Sequence, residues 1–362
     1  YIKGFSFFNF YTWHNVVCIL RINIKESTML VLGIESSCDE TGLALYSEEH
    51  GLIAHLVNSQ IELFTEYGGV IPEIAARDHS AKIIGILSQL LEQTKYKLED
   101  INLIAYTAGP GLIGSLMVGE TVAKTISNVL DIELLPINHL EGHILAPGLE
   151  EDGLEPPYLC LLVSGGHTQI IRCDDYGKYE IIGETIDDAC GEAFDKVGKL
   201  LNLEYPGGPK VSKLAEKGNS NRFQFPRALM KDKNLNFSFS GLKTSVLYAL
   251  EDLSEDDYSD VAASFQEAVI DVLTKKLTWA VEVTNFKKLV CSGGVASNKL
   301  LRERLKQMAQ DNNLEISYPR MEFCTDNAAM IAYAGYMRKK LALQAYSTNF
   351  ARPRWPLGEL YD

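Results

Sequence analysis

No Cys-x-x-Cys pair occurs among the seven cysteines, Cys18, Cys38, Cys160, Cys173, Cys190, Cys291 and Cys324. An odd count without disulfide-like spacing is what a chain of the reducing cytoplasm carries. Positive charge is also in deficit: 34 Lys and Arg face 48 Asp and Glu, a formal net charge of −14. A general nucleic-acid binder usually carries a basic face, so this balance argues against one while leaving room for a local basic patch or a basic partner. No G-x-x-x-x-G-K-[ST] run is present, which excludes a P-loop enzyme. Beyond residue 28 no apolar run reaches membrane-spanning length. Residues 1–28 are rich in Phe, Tyr and Asn, interrupted by Gly4 and Asn9, and lack the apolar core and small-residue cleavage site of a signal peptide. The first methionine is Met29, and 1–28 is expected to be an upstream extension outside the fold.

What remains is ordinary globular composition, 46% hydrophobic and 23% charged over 362 residues, enough for two lobes with a core each. Leu30–Glu35 reads as a short apolar strand, Ser36–Gly42 as a polar loop, Leu43–Tyr46 as a returning strand and Leu52–Val57 as a third. Pro72 opens a long helix, Ile101–Thr107 is a buried-type strand, and Gly109–Gly114 leads into a helix from Ser115 before the strand Glu133–Ile137. The second half repeats this order. Tyr158–Val163 and Thr168–Cys173 are strands around the tight loop Ser164–His167, and helices follow near 187–202, 241–252 and 258–284. Lys288–Cys291 is a strand ending in Gly293-Gly294; then come a helix from about Ala296, the strand Glu315–Tyr318 and a helix from about Asp326. Such a duplication suggests two α/β lobes, 29–150 and 151–362, facing a cleft, with helical insertions in the second. A single large α/β domain fits the pattern about as well. Pro147, Gly148 and the acidic run Glu150–Asp152 mark the expected boundary.

Three turns at strand ends could hold a nucleotide: Ser36–Gly42, Ser164–His167 and Ser292–Asn298. Glycine lets backbone approach a ligand, and successive N–H groups bind phosphate. Each alone reads equally as a plain turn. Gly109–Gly114 matches G-x-G-x-x-G, with Asp131 and Glu133 some 20 residues on. Those acids precede or begin the next strand, whereas a ribose-binding acid follows it, so the run is expected to be a turn packed near the cleft rather than a dinucleotide site.

His139 and His143 are four apart, which on a helix puts both imidazoles on one face. A lone pair at this spacing is more often structural. Leu140 stands where a zinc protease has its glutamate, and Glu141, the nearest carboxylate, points away from the shared face of a helix. Asp326 precedes a helix, where a carboxylate commonly caps; with the lobes closed it could complete a two-His, one-carboxylate site suited to Fe(II) or Zn(II).

The motifs Gly33–Thr41, His139–His143, Leu162–Thr168, Phe237–Thr244, Ser292–Asn298 and Asp326–Met330 together resemble the TsaD family of bacterial type, and the resemblance runs from Met29 to about Leu360. It implies the actin/Hsp70/sugar-kinase fold with an adenine nucleotide in the interlobe cleft. It implies acyl transfer of threonylcarbamoyl from threonylcarbamoyl-AMP to N6 of adenosine 37 in tRNAs that read codons beginning with A. The metal, Fe(II) ahead of Zn(II), would be held by His139, His143 and Asp326. The ligand would be contacted by Leu162, Val163, Ser164, Gly165, Gly166, Asp195, Gly208 and Asn298. TsaB and TsaE are the implied partners, and TsaC supplies the intermediate.

An acyl adenylate is already activated, so positioning and charge stabilisation suffice and no nucleophilic side chain is needed. Asp39 or Glu40, on a loop at the cleft, could accept or orient the amine proton, or be solvated loop charge. The acidic net charge fits a subunit that needs partners to hold tRNA. Two other classes compete: a metal-dependent peptidase, short of a base, and a non-catalytic nucleotide-binding scaffold, which would leave the histidine pair unexplained.

Overall fold

The computed structural model describes residues 28–150, 155–346 and 349–361. The expected extension therefore lies outside the described residues but for Thr28. Two five-stranded sheets carry the fold. In the first, β1 (Leu30–Glu35), β2 (Glu40–Ser47) and β3 (Gly51–Ser59) form an antiparallel meander, and β4 (Leu103–Gly109) and β5 (Glu133–Asn138) add in parallel, giving the order β3-β2-β1-β4-β5. In the second, β6 (Tyr158–Val163), β7 (Thr168–Asp175) and β8 (Lys178–Glu184) make the meander, and β9 (Lys288–Ser292) and β10 (Glu315–Ser317) the parallel additions. The duplication expected from the pattern is present, and β8 adds the third meander strand that the second half's sequence did not show.

Both central strands are covered on both faces, which explains why they read as unbroken apolar runs. Leu159, Leu161 and Val163 of β6 point into the core of the second sheet, and Tyr158, Cys160 and Leu162 into the core that also holds Leu32 and Ile34 of β1. The helices α1 (Pro72–Thr94) and α2 (Ile113–Leu130) contribute Ile83, Leu87 and Ala123 to that same core. Trp355, Leu357 and Leu360 of the C-terminal segment complete it.

Between β8 and β9 lie α4 (Cys190–Leu200), α5 (Gly207–Ala215), α6 (Ser240–Leu250) and α7 (Tyr258–Thr284), and α8 (Lys299–Asp311) joins β9 to β10. Two of the second half's elements give no clear sequence signal. β8 carries Lys178, Glu180 and Glu184 because it is an edge strand with one wet face, and α5 opens on Gly207-Gly208-Pro209, a turn-like start. The last helix, α9 (Ala328–Lys340), follows the second sheet in sequence yet packs on the first, burying Ala328, Ala332 and Tyr333 with Val31 and Ala105. Gly33 permits this: a Cβ there would lie 2.4 Å from the Ala328 carbonyl oxygen.

Candidate functional site

The turns of both lobes and the helices α4 to α6 enclose a cleft of about 1880 Å³. At its floor, α3 (His139–Leu145) starts directly from the end of β5. Asn138 makes that sharp start possible: its Oδ1 accepts from the Leu140 and Glu141 N–H groups at 2.9 and 3.3 Å, satisfying the first free donors of the helix. One turn apart, the His139 and His143 rings stand nearly perpendicular with centroids 4.8 Å apart. Asp326 Oδ1 lies 3.1 Å from His143 Nε2 and 3.4 Å from His139 Nε2. All three ligand atoms fall within 4.8 Å of one another. Asp326 is not the cap of α9. Asn327 takes that role, accepting from Met330 N–H at 3.0 Å, and so leaves the Asp326 carboxylate to face the histidines.

The donor set fits a divalent ion. Glu35, at the end of β1 and fully buried, sets His139: its Oε2 lies 3.1 Å from Nδ1, which leaves Nε2 as the nitrogen turned toward Asp326. Glu35 is itself held by Thr107 Oγ1 at 2.6 Å and by the Ser37 N–H at 2.5 Å. Without an ion the charges pair with one another. Burial disfavours the His139 imidazolium, but Asp326 and Glu35 outweigh it and hold the ring well above the ordinary histidine range. Burial likewise pushes Asp326 up, yet the two histidines hold it far below the usual carboxylate range. A cation would replace the His139 proton and release it. His143 Nδ1 is buried without a hydrogen-bond partner among the described residues. His167 also borders the cleft, its pKa pushed down to about 4 by burial and by His139 and His143.

The first-lobe loop and the start of β2 bring Asp39 and Glu40 to the same cleft. His79, from α1, ties that loop down, with Nδ1 2.7 Å from Thr41 Oγ1 and Nε2 3.0 Å from the Cys38 carbonyl. Glu40 is not solvated loop charge: burial, then Asp326, then Asp39, with which it shares a hydrogen bond, hold its carboxyl well above the usual range. Of the expected ligand contacts, Ser164, Gly165, Gly166, Asp195, Gly208 and Asn298 border the cleft. Leu162 and Val163 do not; their side chains are buried in the two cores on either face of β6. Asp195 Oδ1 accepts from the Gly207 and Gly208 N–H groups at 2.8 and 3.1 Å, and Asn298 caps α8 while its Nδ2 donates to Gln266 and Ser212.

Gly109–Gly114 is a packed turn at the cleft, as expected. A Cβ on Gly109, at φ +150°, would lie 1.9 Å from the Arg352 carbonyl oxygen, and one on Gly111 2.6 Å from that of Ser37. Glu141 is fully engaged away from the cleft: Arg338 Nη1 donates to both its oxygens at 3.0 and 3.2 Å, and Tyr179 and Tyr346 hydroxyls donate to it as well. A peptidase would have no base there.

Residues 51–333 match the family model of TsaD, described as tRNA N6-adenosine threonylcarbamoyltransferase. The chain belongs to the TsaD family. A protein of Methylobacillus flagellatus named tRNA N6-adenosine threonylcarbamoyltransferase is 52% identical over 336 residues, covering 92% of this chain and 99% of that protein. The chain is accordingly an enzyme, a transferase that acts on tRNA. Full-length HypF, solved in a phosphate- and nucleotide-bound form, aligns with 87% of the chain and 47% of its own at a TM-score of 0.59 and 12% identity. Component A of (R)-2-hydroxyglutaryl-CoA dehydratase from Acidaminococcus fermentans aligns with 87% of the chain and all of its own, at a TM-score of 0.52 and 16% identity. At these identities the likeness is one of fold alone, in keeping with two actin/Hsp70/sugar-kinase-like lobes. Among the described residues no helix is long and apolar enough to cross a membrane.

Sequence reasoning missed Glu35, His79 and Arg338. A carboxylate closing an otherwise apolar strand was the one available signal, and it pointed to Glu35. His79 and Arg338 sit in ordinary helical patterns, with nothing local to mark them.

Proposed function

We propose that the chain transfers threonylcarbamoyl from threonylcarbamoyl-AMP to N6 of adenosine 37 in tRNAs reading codons that begin with A. It would act in the cytoplasm with TsaB and TsaE, on an intermediate supplied by TsaC. The observation that carries this reading is the meeting of His139, His143 and Asp326 at the floor of a cleft bordered by Asp39 and by the open Gly165-Gly166 turn. Family membership and the residues that border the cleft support this reading.

In the reaction the N6 amine attacks the carbamoyl carbon, the bond from that carbon to the phosphate oxygen of AMP breaks, and one proton leaves the amine nitrogen. Gly165 and Gly166 have open space where a Cβ would stand, so a nucleotide can approach their backbone closely. Asp39 is assigned to the adenosine end, where its carboxylate orients the amine and takes its proton. Glu40, whose carboxyl burial, Asp326 and Asp39 push upward, serves to hold Asp39 through their shared hydrogen bond. His139, His143 and Asp326 would hold one Fe(II), with Zn(II) as the other ion the set accepts. Such an ion supplies Lewis acidity toward a phosphate or carbonyl oxygen.

The test is reconstitution with partner subunits, preformed threonylcarbamoyl-AMP and unmodified tRNA, scored by nucleoside analysis. The modified nucleoside should appear only with this chain present. Its formation at the same rate without the chain would remove the proposal. In depleted cells the modified nucleoside should disappear from tRNA.

A further inference from the structure

Glu141 sits between His139 and His143 in sequence, is completely buried, and takes no part in the chemistry above. The helix it belongs to, α3, lies across α9, and the contact point is Gly142: a Cβ there would be 3.0 Å from Ile331 Cδ1 and 3.2 Å from Met330 Cγ. Two polar fasteners join the same helices on either side of that contact. At the start of α9, Asp326 meets His139 and His143. In its last turn, Arg338 meets Glu141. From Ala328, two residues beyond Asp326, to Arg338 the helix rises about 15 Å, so the fasteners are widely separated.

The Glu141 end is anchored further. Tyr179 of β8 donates to Oε1 at 2.9 Å, and Tyr346 of the C-terminal segment donates to Oε2. Arg338 lies 3.8 Å from the Tyr346 ring centroid and donates to the Gln344 carbonyl. The same C-terminal segment reaches the start of α3, where Asn138 Nδ2 donates to the Trp355 carbonyl at 3.0 Å.

We infer that Glu141 is a positioning residue for the metal centre: its pairing with Arg338, Tyr179 and Tyr346 fixes the rotation of α3 about the Gly142 contact and so sets where His139 and His143 stand relative to Asp326. With one fastener released, a short helix held at a single close contact can pivot, and the Nε2 atoms lose their common distance to Asp326. The inference rests on the metal reading of the site.

The test measures metal affinity on the full chain, by chelator competition with Zn(II) and by the visible absorption of Co(II), alongside thermal melting. The variants are Glu141→Gln and, as a stability control in the core of the second sheet, Val272→Ala. Wild type should bind one ion per chain. Glu141→Gln should bind on the order of 10–100-fold more weakly, the scale on which outer partners of metal ligands act, with an altered Co(II) spectrum. Val272→Ala should melt earlier with affinity and spectrum unchanged. If Glu141→Gln matches wild type in both affinity and spectrum, whatever its melting temperature, Glu141 is only structural and the inference falls. Should that variant not fold, Tyr179→Phe and Tyr346→Phe remove one donor each. A several-fold loss of affinity in either supports the inference, and wild-type affinity in both overturns it. A wild-type chain that binds neither ion overturns the metal reading, and the inference with it.

Discussion

The two lobes are built from one strand plan and put it to different uses. After β1, the turn carries acids: Glu35 closes the strand, buried Asp39 lies in the loop fixed by His79, and half-buried Glu40 opens β2. After β6, the matching turn is Ser164-Gly165-Gly166-His167, without a carboxylate and with open space above both glycines. The Gly turns after the fourth strands agree at their first glycine, where a Cβ on Gly293 would lie 2.4 Å from the Val163 carbonyl oxygen, and differ at the next one. Gly109 and Gly111 of the first lobe are sealed under Arg352 and against Ser37, whereas in the second lobe Gly294 has only a Thr325 methyl at 3.9 Å. A duplicated frame thus separates the work. At these turns one lobe presents charge and the other bare backbone, and the candidate metal ligands come from the seam, with α3 after the first sheet and Asp326 after the second.

The largest effect expected is on charge in the first lobe. Asp39→Ala should lower transfer roughly 100-fold or more, the scale of a positioned acid–base group, while metal and nucleotide binding persist. Gly165→Ala, the contrasting change in the second lobe, should leave folding unchanged because no atom opposes the new methyl, and should raise the KM for the acyl adenylate several-fold. Steady-state rates in the reconstituted system separate the two. Near wild-type turnover in Asp39→Ala would break the assignment of charge to that lobe.

The seam comes next. His139→Ala with His143→Ala should abolish the ion, measured by metal analysis of gently purified protein, with the secondary structure retained by circular dichroism. Glu35→Gln should keep the ion but weaken it by about 10–100-fold. Wild-type protein without metal would remove the site altogether.

Third, the sealed first-lobe turn should be intolerant. Gly109→Ala sets a methyl against the Arg352 carbonyl at a φ of +150°, and should cost on the order of 3 kcal/mol in denaturant unfolding. Gly294→Ala should change stability by less than about 0.5 kcal/mol. Equal stabilities would mean that Gly109 is not sealed, and Gly293→Ala, which sets a methyl against the Val163 carbonyl at a φ of +92°, should be as costly as Gly109→Ala.

The smallest effects concern pH. Burial holds His79 below the ordinary histidine value, so its neutral form is the folded one. The unfolded chain then binds more protons as pH falls below about 6.5, and stability falls with it. In the second lobe burial lowers Lys276 to about 8. Between pH 8 and the ordinary lysine value the unfolded chain again holds more protons, so stability rises with pH there. Melting temperatures of wild type against His79→Gln at pH 5–7, and against Lys276→Met at pH 8–10, read each window separately.

The sequence by itself determined the duplicated strand order, the cleft-facing turns, the histidine pair and the family. These are local matters: period-2 and apolar runs, glycine at strand ends and a four-residue spacing carry their meaning within a few residues. It also gave the expectation that Gly109–Gly114 is a packed turn, because the acid that a dinucleotide site needs stands on the wrong side of the next strand. What only the tertiary structure decided is which groups meet. Asp326 lies 183 residues from its partner His143, and its freedom to be a ligand depended on Asn327 taking the helix cap. Glu35 could be read as a strand end but not as the carboxylate that orients a histidine 104 residues away. α9 follows the second sheet in the chain and buries itself on the first, and β8 hides its role because an edge strand keeps one face wet. Arg338 has no local mark, and only the crossing of two helices pairs it with Glu141. Pairings across such distances follow from how amphipathic faces are buried together, and that is a property of the packed whole.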